Sequence, residues 1–229
     1  MRARLLQIDI EYTISFARPA FALLTQKFVV AEALATALAS LYSVNSGDVR
    51  VVDSNTLDDI EIKVDLFNRN GRFRFGADRL QIKFQNLRSK QDTEIVLQVL
   101  EAALKGIGPF LSNIVMEQEI INAGLSYEAV DGAESIKLYF APLKSSEFLQ
   151  QAQHLGFKFS QFTEKPKQTL ALDISPSWSN EKMIFVSVNR FSDVELSDPI
   201  RKRLDAFKMV IESLLPNLSF DVVQSESWK

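Results

Sequence analysis

Apolar and polar residues alternate from Leu6 to Phe16. Leu6, Ile8, Ile10, Tyr12, Ile14 and Phe16 share one side, and Gln7, Asp9, Glu11, Thr13 and Ser15 share the other. A period of two over this length predicts a strand buried on one face, ended by Pro19. Thr25 stands where it can cap a helix running to about Tyr42, and the low charge of that stretch predicts a largely buried helix. Ser43 to Asp48, with Gly47, predicts a loop.

Residues 49–85 predict an antiparallel meander. Asn70-Gly71 is the signature of a two-residue type I′ hairpin, whose central residues need positive φ. That turn pairs residues whose numbers sum to 70 + 71 = 141, setting Val64 against Ala77 and Leu66 against Phe75. All four then share the core face, and Arg72 and Arg74 take the other. The next strand points Leu80, Ile82 and Phe84 inward and Arg79, Gln81 and Lys83 outward. Apolar residues at 96, 97, 100, 103, 104 and 107 predict a helix from about Asp92 to Lys105, stopped by Gly106, Gly108 and Pro109.

Strands follow at 114–129 and 135–141, then a short helix at 145–155 stopped by Gly156. Further strands are predicted at 157–163, 168–175 and 182–191. A last helix opens at Ser197-Asp198-Pro199 and ends at Pro216, and the polar tail 221–229 is expected to fray.

Antiparallel strands with helices between hairpins predict an α+β fold, helices packed on one face of each sheet. The second half echoes the first. Pro109 matches Pro216 at an offset of 216 − 109 = 107, which carries Leu97, Leu100, Leu104 and Ile107 onto Leu204, Phe207, Ile211 and Leu214. The turns Asn70-Gly71 and Asn180-Glu181 are offset by 180 − 70 = 110. This reads as two similar antiparallel-sheet-plus-helix units, residues 1–112 and 113–229, packed as one body. The alternative is chance likeness, since the offsets differ by three and the first strands and helices of the halves match poorly.

Composition narrows the chemistry. Of 229 residues, 46% are hydrophobic and 24% charged, as in an ordinary globular chain, and the net charge of −3 does not describe a polycation. With no cysteine, disulfides, thiolate catalysis and iron–sulfur clusters are excluded. A single histidine, His154, argues against a multi-histidine metal site or a serine–histidine triad. The start of the chain lacks the apolar core of a signal peptide, and Phe28 to Leu41, about 14 residues broken by Glu32, is too short to span a membrane. A cytoplasmic protein with no membrane contact and no cofactor is expected.

The basic hairpin is the best candidate site. Arg69, Arg72, Arg74, Arg79, Lys83, Arg88 and Lys90 stand against one acid, Asp78, so residues 69–90 carry 7 − 1 = +6. Arg72, Arg74, Arg79 and Lys83, projecting from one sheet face, are candidates for binding an anion or nucleic acid. Against this, Phe73, Phe75 and Phe84 turn away from the arginines, and the adjacent strand with Asp58, Asp59, Glu61 and Asp65 can neutralise them. The acids Asp193, Glu195 and Asp198 are explained by capping of the last helix. Seventeen phenylalanines, among them Phe157, Phe159 and Phe162, allow an apolar cavity. Trp178, near a turn, is a protein-contact candidate. No phosphate loop, dinucleotide fingerprint or nucleophile elbow occurs, and no catalytic residue is assigned.

The run Gly71-Arg72-Phe73-Arg74-Phe75-Gly76-Ala77-Asp78-Arg79-Leu80-Gln81-Ile82-Lys83-Phe84, followed by a long helix, and the later Leu172-Asp173-Ile174 strand resemble a sporadically distributed prokaryotic family of uncharacterised proteins. Its members look like two α+β halves distantly similar to SecB-type chaperones. Asn86-Leu87-Arg88 departs from that pattern, which has tyrosine and tryptophan there. The resemblance implies a chaperone-like binding role and no catalytic residue. The resulting expectation is a non-enzymatic module that binds another protein or itself. The alternatives are an anion or nucleic-acid binder using the basic hairpin and a carrier of an apolar ligand.

Overall fold

A computed structural model of the chain describes residues 1–52, 60–145, 156–164, 167–177, 179–193, 200–217, 220–223 and 226–228. The alternating segment forms β1 (Arg2–Phe16), with Ala3, Tyr12, Ile14 and Phe16 buried. Two short helices follow, α1 (Phe21–Thr25) and α2 (Lys27–Leu38). Thr25 does not cap the second, because its hydroxyl donates to the Phe21 carbonyl and closes α1 instead. Helix α2 buries Val30, Ala31, Leu34 and Leu38 but leaves Phe28 and Val29 exposed.

The meander consists of β2 (Val49–Val52), β3 (Glu61–Leu66), β4 (Gly71–Phe75) and β5 (Arg79–Leu87). Its register corrects the sequence expectation. Val64 pairs with Phe73 and Leu66 with Gly71, a sum of 64 + 73 = 137. The turn is a four-residue loop, 67–70, in which Phe67, Asn68 and Arg69 all have positive φ. Phe67 holds the loop down by packing on Tyr42, with ring centroids 4.9 Å apart. The shift is even, so every side chain keeps its predicted face. Gly71 has no positive φ. It is glycine because a Cβ there would lie 2.7 Å from the Phe84 ring.

Helix α3 (Lys90–Leu111) opens at Ser89, whose hydroxyl accepts from the Asp92 N–H at 3.1 Å. It runs through Gly106, Gly108 and Pro109, which were expected to stop it. Tertiary packing overrides the weak propensity. A Cβ on Gly106 would meet Ala37 of α2 at 2.5 Å, so the glycine lets the two helices touch.

Strand β6 (Met116–Ala129) follows, then α4 (Ala133–Phe140) where a strand was expected at 135–141. Ile136 and Phe140, four apart, are buried, and Leu138 between them is 67% exposed. That is helical spacing, hidden in the sequence by a run of β-favouring residues. Residues 146–155 of the helix expected at 145–155, His154 among them, lie outside the described residues. Strands β7 (Phe157–Glu164), β8 (Lys167–Pro176) and β9 (Met183–Ser192) form the second meander, and α5 (Ile200–Asn217) follows. Residues 221–223 of the tail, which was expected to fray, form a strand. Phe220 is buried against Tyr127, and β10 (Asp221–Val223) pairs in parallel with residues 2–4 of β1.

The strands join in one ten-stranded sheet, ordered β2-β3-β4-β5-β1-β6-β9-β8-β7, with β10 on β1. The fold is α+β. The inward residues of the strands and the buried sides of α2, α3, α4 and α5 form one core. Among the described residues no helix covers the other face.

Candidate functional site: the open face of the sheet

The open face is built by the residues that alternate with the core. In the N-terminal half it is a charge lattice. The Glu61 carboxylate takes Lys63 and Arg74, and the Asp65 carboxylate takes Arg50 and Arg72, the last at 2.6 Å. Both carboxylates are buried under these cations, while the three arginines stay half-exposed. Burial pushes each carboxyl pKa up, but the hydrogen bonds and charges of its two cations outweigh that and hold it below the usual carboxylate range.

All four anion-binding candidates therefore have acid partners: Arg72 with Asp65, Arg74 with Glu61, Arg79 with Asp78 at 2.9 Å, and Lys83 with Glu11 at 3.9 Å. The lattice brings Arg72 and Arg74 together with Arg50 and Lys63, which sequence reasoning did not single out. Their proximity depended on the pairing of β2 with β3. Four cations over two carboxylates leave 4 − 2 = +2 on this part of the face. Asp58, Asp59 and Trp178 lie outside the described residues.

The C-terminal half of the same face is different. Its outward residues on β6, β7, β8 and β9 include Asn122, Ser126, Thr169, Ser187 and Asn189, with Phe162 on β7 60% and Phe185 on β9 40% exposed. The Phe185 ring lies directly over Gly124, where a Cβ would sit 3.1 Å from it. Phe162 and Phe191 help line an open cleft of about 290 Å³ with Ser15, Gln118, Lys167 and Asp193. The three clustered phenylalanines divide: Phe157 and Phe159 stack at 6.1 Å, and Phe162 faces the other way. A second depression, about 520 Å³ and also open, lies on the helix side against Arg201 and Met209.

Beneath the sheet, between β1, β6, β9 and α5, lies a buried charge cluster. The Tyr12 hydroxyl donates to Glu119 at 2.8 Å, Arg190 donates to the other carboxylate oxygen at 3.2 Å, and Arg203 also pairs with Glu119. Arg190 further donates to the Arg203 carbonyl at 3.3 Å. Burial, with the neighbouring Glu119 charge, pushes the Tyr12 hydroxyl pKa up, and desolvation pulls that of Arg190 down against the attraction of Glu119. The cluster is buried and holds α5 on the sheet. Among the described residues no group of three or more acids and histidines is placed to hold a metal ion. Nor is any helix long and apolar enough to cross a membrane.

No family model matches the chain, and no curated protein matches it. Among solved structures it is similar to the TBP of Methanococcus jannaschii, at 10% identity over 93% of this chain and 99% of that one, with a TM-score of 0.35. It is also similar to the rolling circle replication initiator protein of Geobacillus stearothermophilus, at 6% identity over 83% and 74% of the two chains, with a TM-score of 0.30. At these scores neither likeness bears on function.

Proposed function

We propose that this chain is a non-catalytic binding protein that takes another protein on the open face of its sheet. The observation that carries the reading is that, among the described residues, helices cover the sheet on one side only, while its other side carries exposed aromatics beside an open cleft. An apolar patch rimmed by hydrogen-bonding side chains suits a protein partner. A photoreactive residue placed at Phe162 or Phe185 is then expected to crosslink a partner protein in the protein's own cells. One placed at Met209, exposed on the helix side, is not. Crosslinks only from Met209 would sink the reading.

The +2 surplus on the lattice favours a second reading, in which a polyanion such as nucleic acid binds across Arg72, Arg74, Arg79 and Lys83. Its affinity for a labelled oligonucleotide would fall steeply with salt and vanish in the Arg72→Glu, Arg74→Glu double variant. Unchanged binding by that variant removes this reading. A carrier of an apolar ligand remains a third proposal, without support from the two depressions, which are open to solvent.

The same reading takes residues 1–112 and 113–229 as two copies of one unit. The element order supports it: β1 and β6 are central neighbours, and each is followed by helix, meander and long helix. Action in the cytoplasm belongs to the proposal, and its chaperone-like form rests on the sequence resemblance alone.

A further inference from the structure

Strand β7 ends the sheet. It pairs with β8 along its whole length, from Phe157 opposite Ile174 to Glu164 opposite Lys167, and among the described residues nothing pairs with its other edge. Every residue of β7 except Phe157 is exposed. Edge strands are normally kept short or blunted by proline, bulges or inward charges. The opposite edge, β2, has four residues, whereas β7 has eight, no proline and no register shift.

The charges of β7 sit near its two ends, Lys158 and Glu164, and both project to the open face with Ser160 and Phe162. An antiparallel partner of the same sequence, centred on Gln161, pairs residues whose numbers sum to 161 + 161 = 322. Lys158 of each copy then faces Glu164 of the other, Ser160 faces Phe162 and Phe159 faces Thr163. Facing residues share a side of the sheet, so both ion pairs form on the open face. A parallel, in-register partner sets lysine on lysine and glutamate on glutamate. An antiparallel shift by two residues leaves both ions without an opposite charge across the seam, so charge selects one direction and one register.

We infer that β7 is the seam of a symmetric homodimer, in which a second copy adds its β7 antiparallel about Gln161 and makes the two open faces continuous. The inference rests on the free edge of β7 rather than on the sheet face; Phe162 belongs to both, so Phe185, away from the seam, tests the sheet-face reading whatever becomes of the dimer.

The chain has no cysteine, so single thiols report the register directly. Gln161→Cys puts both thiols at the two-fold axis, and mild oxidation is expected to give a covalent dimer. Lys158→Cys puts the thiols six residues apart along the partner strand, about 20 Å, beyond disulfide reach, and is expected to stay uncrosslinked. Native mass spectrometry of the unmodified chain is expected to show twice 25.9 kDa. Lys158→Glu or Glu164→Lys alone should weaken the dimer about tenfold, and the double exchange should restore it. Circular dichroism checks folding, because these residues also face Asp173 and Lys167 on β8. Where a charge variant does not fold, the cysteine pair decides. A monomer at tens of micromolar, equal crosslinking at both positions, or a dimer indifferent to the charge exchanges overturns the proposal.

Discussion

The two halves of the sheet carry their charge on opposite sides. In the N-terminal half the paired ions are on the open face, where Glu61 and Asp65 lie under cations that still touch water. In the C-terminal half the buried cluster is inside, where Glu119 holds Arg190 and Arg203 beneath the strands, while the open face carries Phe162, Phe185 and small polar side chains, with exposed charges such as Lys158 and Glu164 towards the β7 edge. One carboxylate with two guanidiniums is the arrangement on Asp65 as on Glu119, yet its meaning differs. At the surface solvent screens the surplus charge, and the pairs contribute little to stability. In the core, among the described residues, the two guanidiniums share one carboxylate, so α5 is tied to β6 and β9 through one group.

Removing the central carboxylate tests that contrast most strongly. Glu119→Leu strands two buried guanidiniums and is expected to cost about 3–5 kcal/mol in urea unfolding, against about 1 kcal/mol or less for Asp65→Leu. Equal losses would break the comparison. A smaller contrast separates two glycines. Gly71→Ala drives a methyl group into the fully buried Phe84 and is expected to cost about 1–3 kcal/mol. Gly124→Ala meets the half-exposed Phe185, which can shift outward, and should cost under about 1 kcal/mol.

Acid sharpens the contrast further. Because the Glu61 and Asp65 carboxyls are held below their ordinary range, the stability they contribute is complete above the unfolded-state pKa of about 4 and is lost as pH falls through the folded value. Thermal melts from pH 6 to pH 2 should fall, and the Glu61→Gln, Asp65→Asn variant should fall less, by about 1 kcal/mol. The smallest effect is expected at Arg69. Arg69→Gly relieves a positive φ of 72° and should gain about 0.5 kcal/mol in the same unfolding assay.

Much of the architecture was legible in the residues. The alternation of β1 from Ile8 to Phe16 and the pattern of Arg72, Phe73, Arg74 and Phe75 named the buried face correctly even though the hairpin register was displaced; at Leu6, expected on that face, a bulge brings Leu5 to the core instead. Those two properties rest on different physics. A face follows from strand periodicity, which any even register respects, whereas the register was set by Phe67 packing on Tyr42, residues 25 apart in the chain. Helix α4 was missed because Ile136, Tyr139 and Phe140 favour strands locally and only burial of Ile136 and Phe140 reveals the helical period. Of the charge lattice, spacing pointed to Arg72 and Arg74 and to the acidic strand that pairs with them, while Arg50 and Lys63 were not singled out. The Glu119 cluster left no signal, since its members are separated by 107, 71 and 84 positions.

By itself, then, the order of apolar and polar residues determined the secondary structure of most segments, the α+β class and which side of each strand meets the core. Periodicity is a local property, and burying one face of each element follows from it directly. Only the tertiary structure decided that the strands form one sheet rather than two, that Arg50 and Lys63 join Arg72 and Arg74 over Glu61 and Asp65, and that Glu119 answers two arginines. Each of those depends on contacts between distant residues, whose closeness is set by the packing of the whole chain.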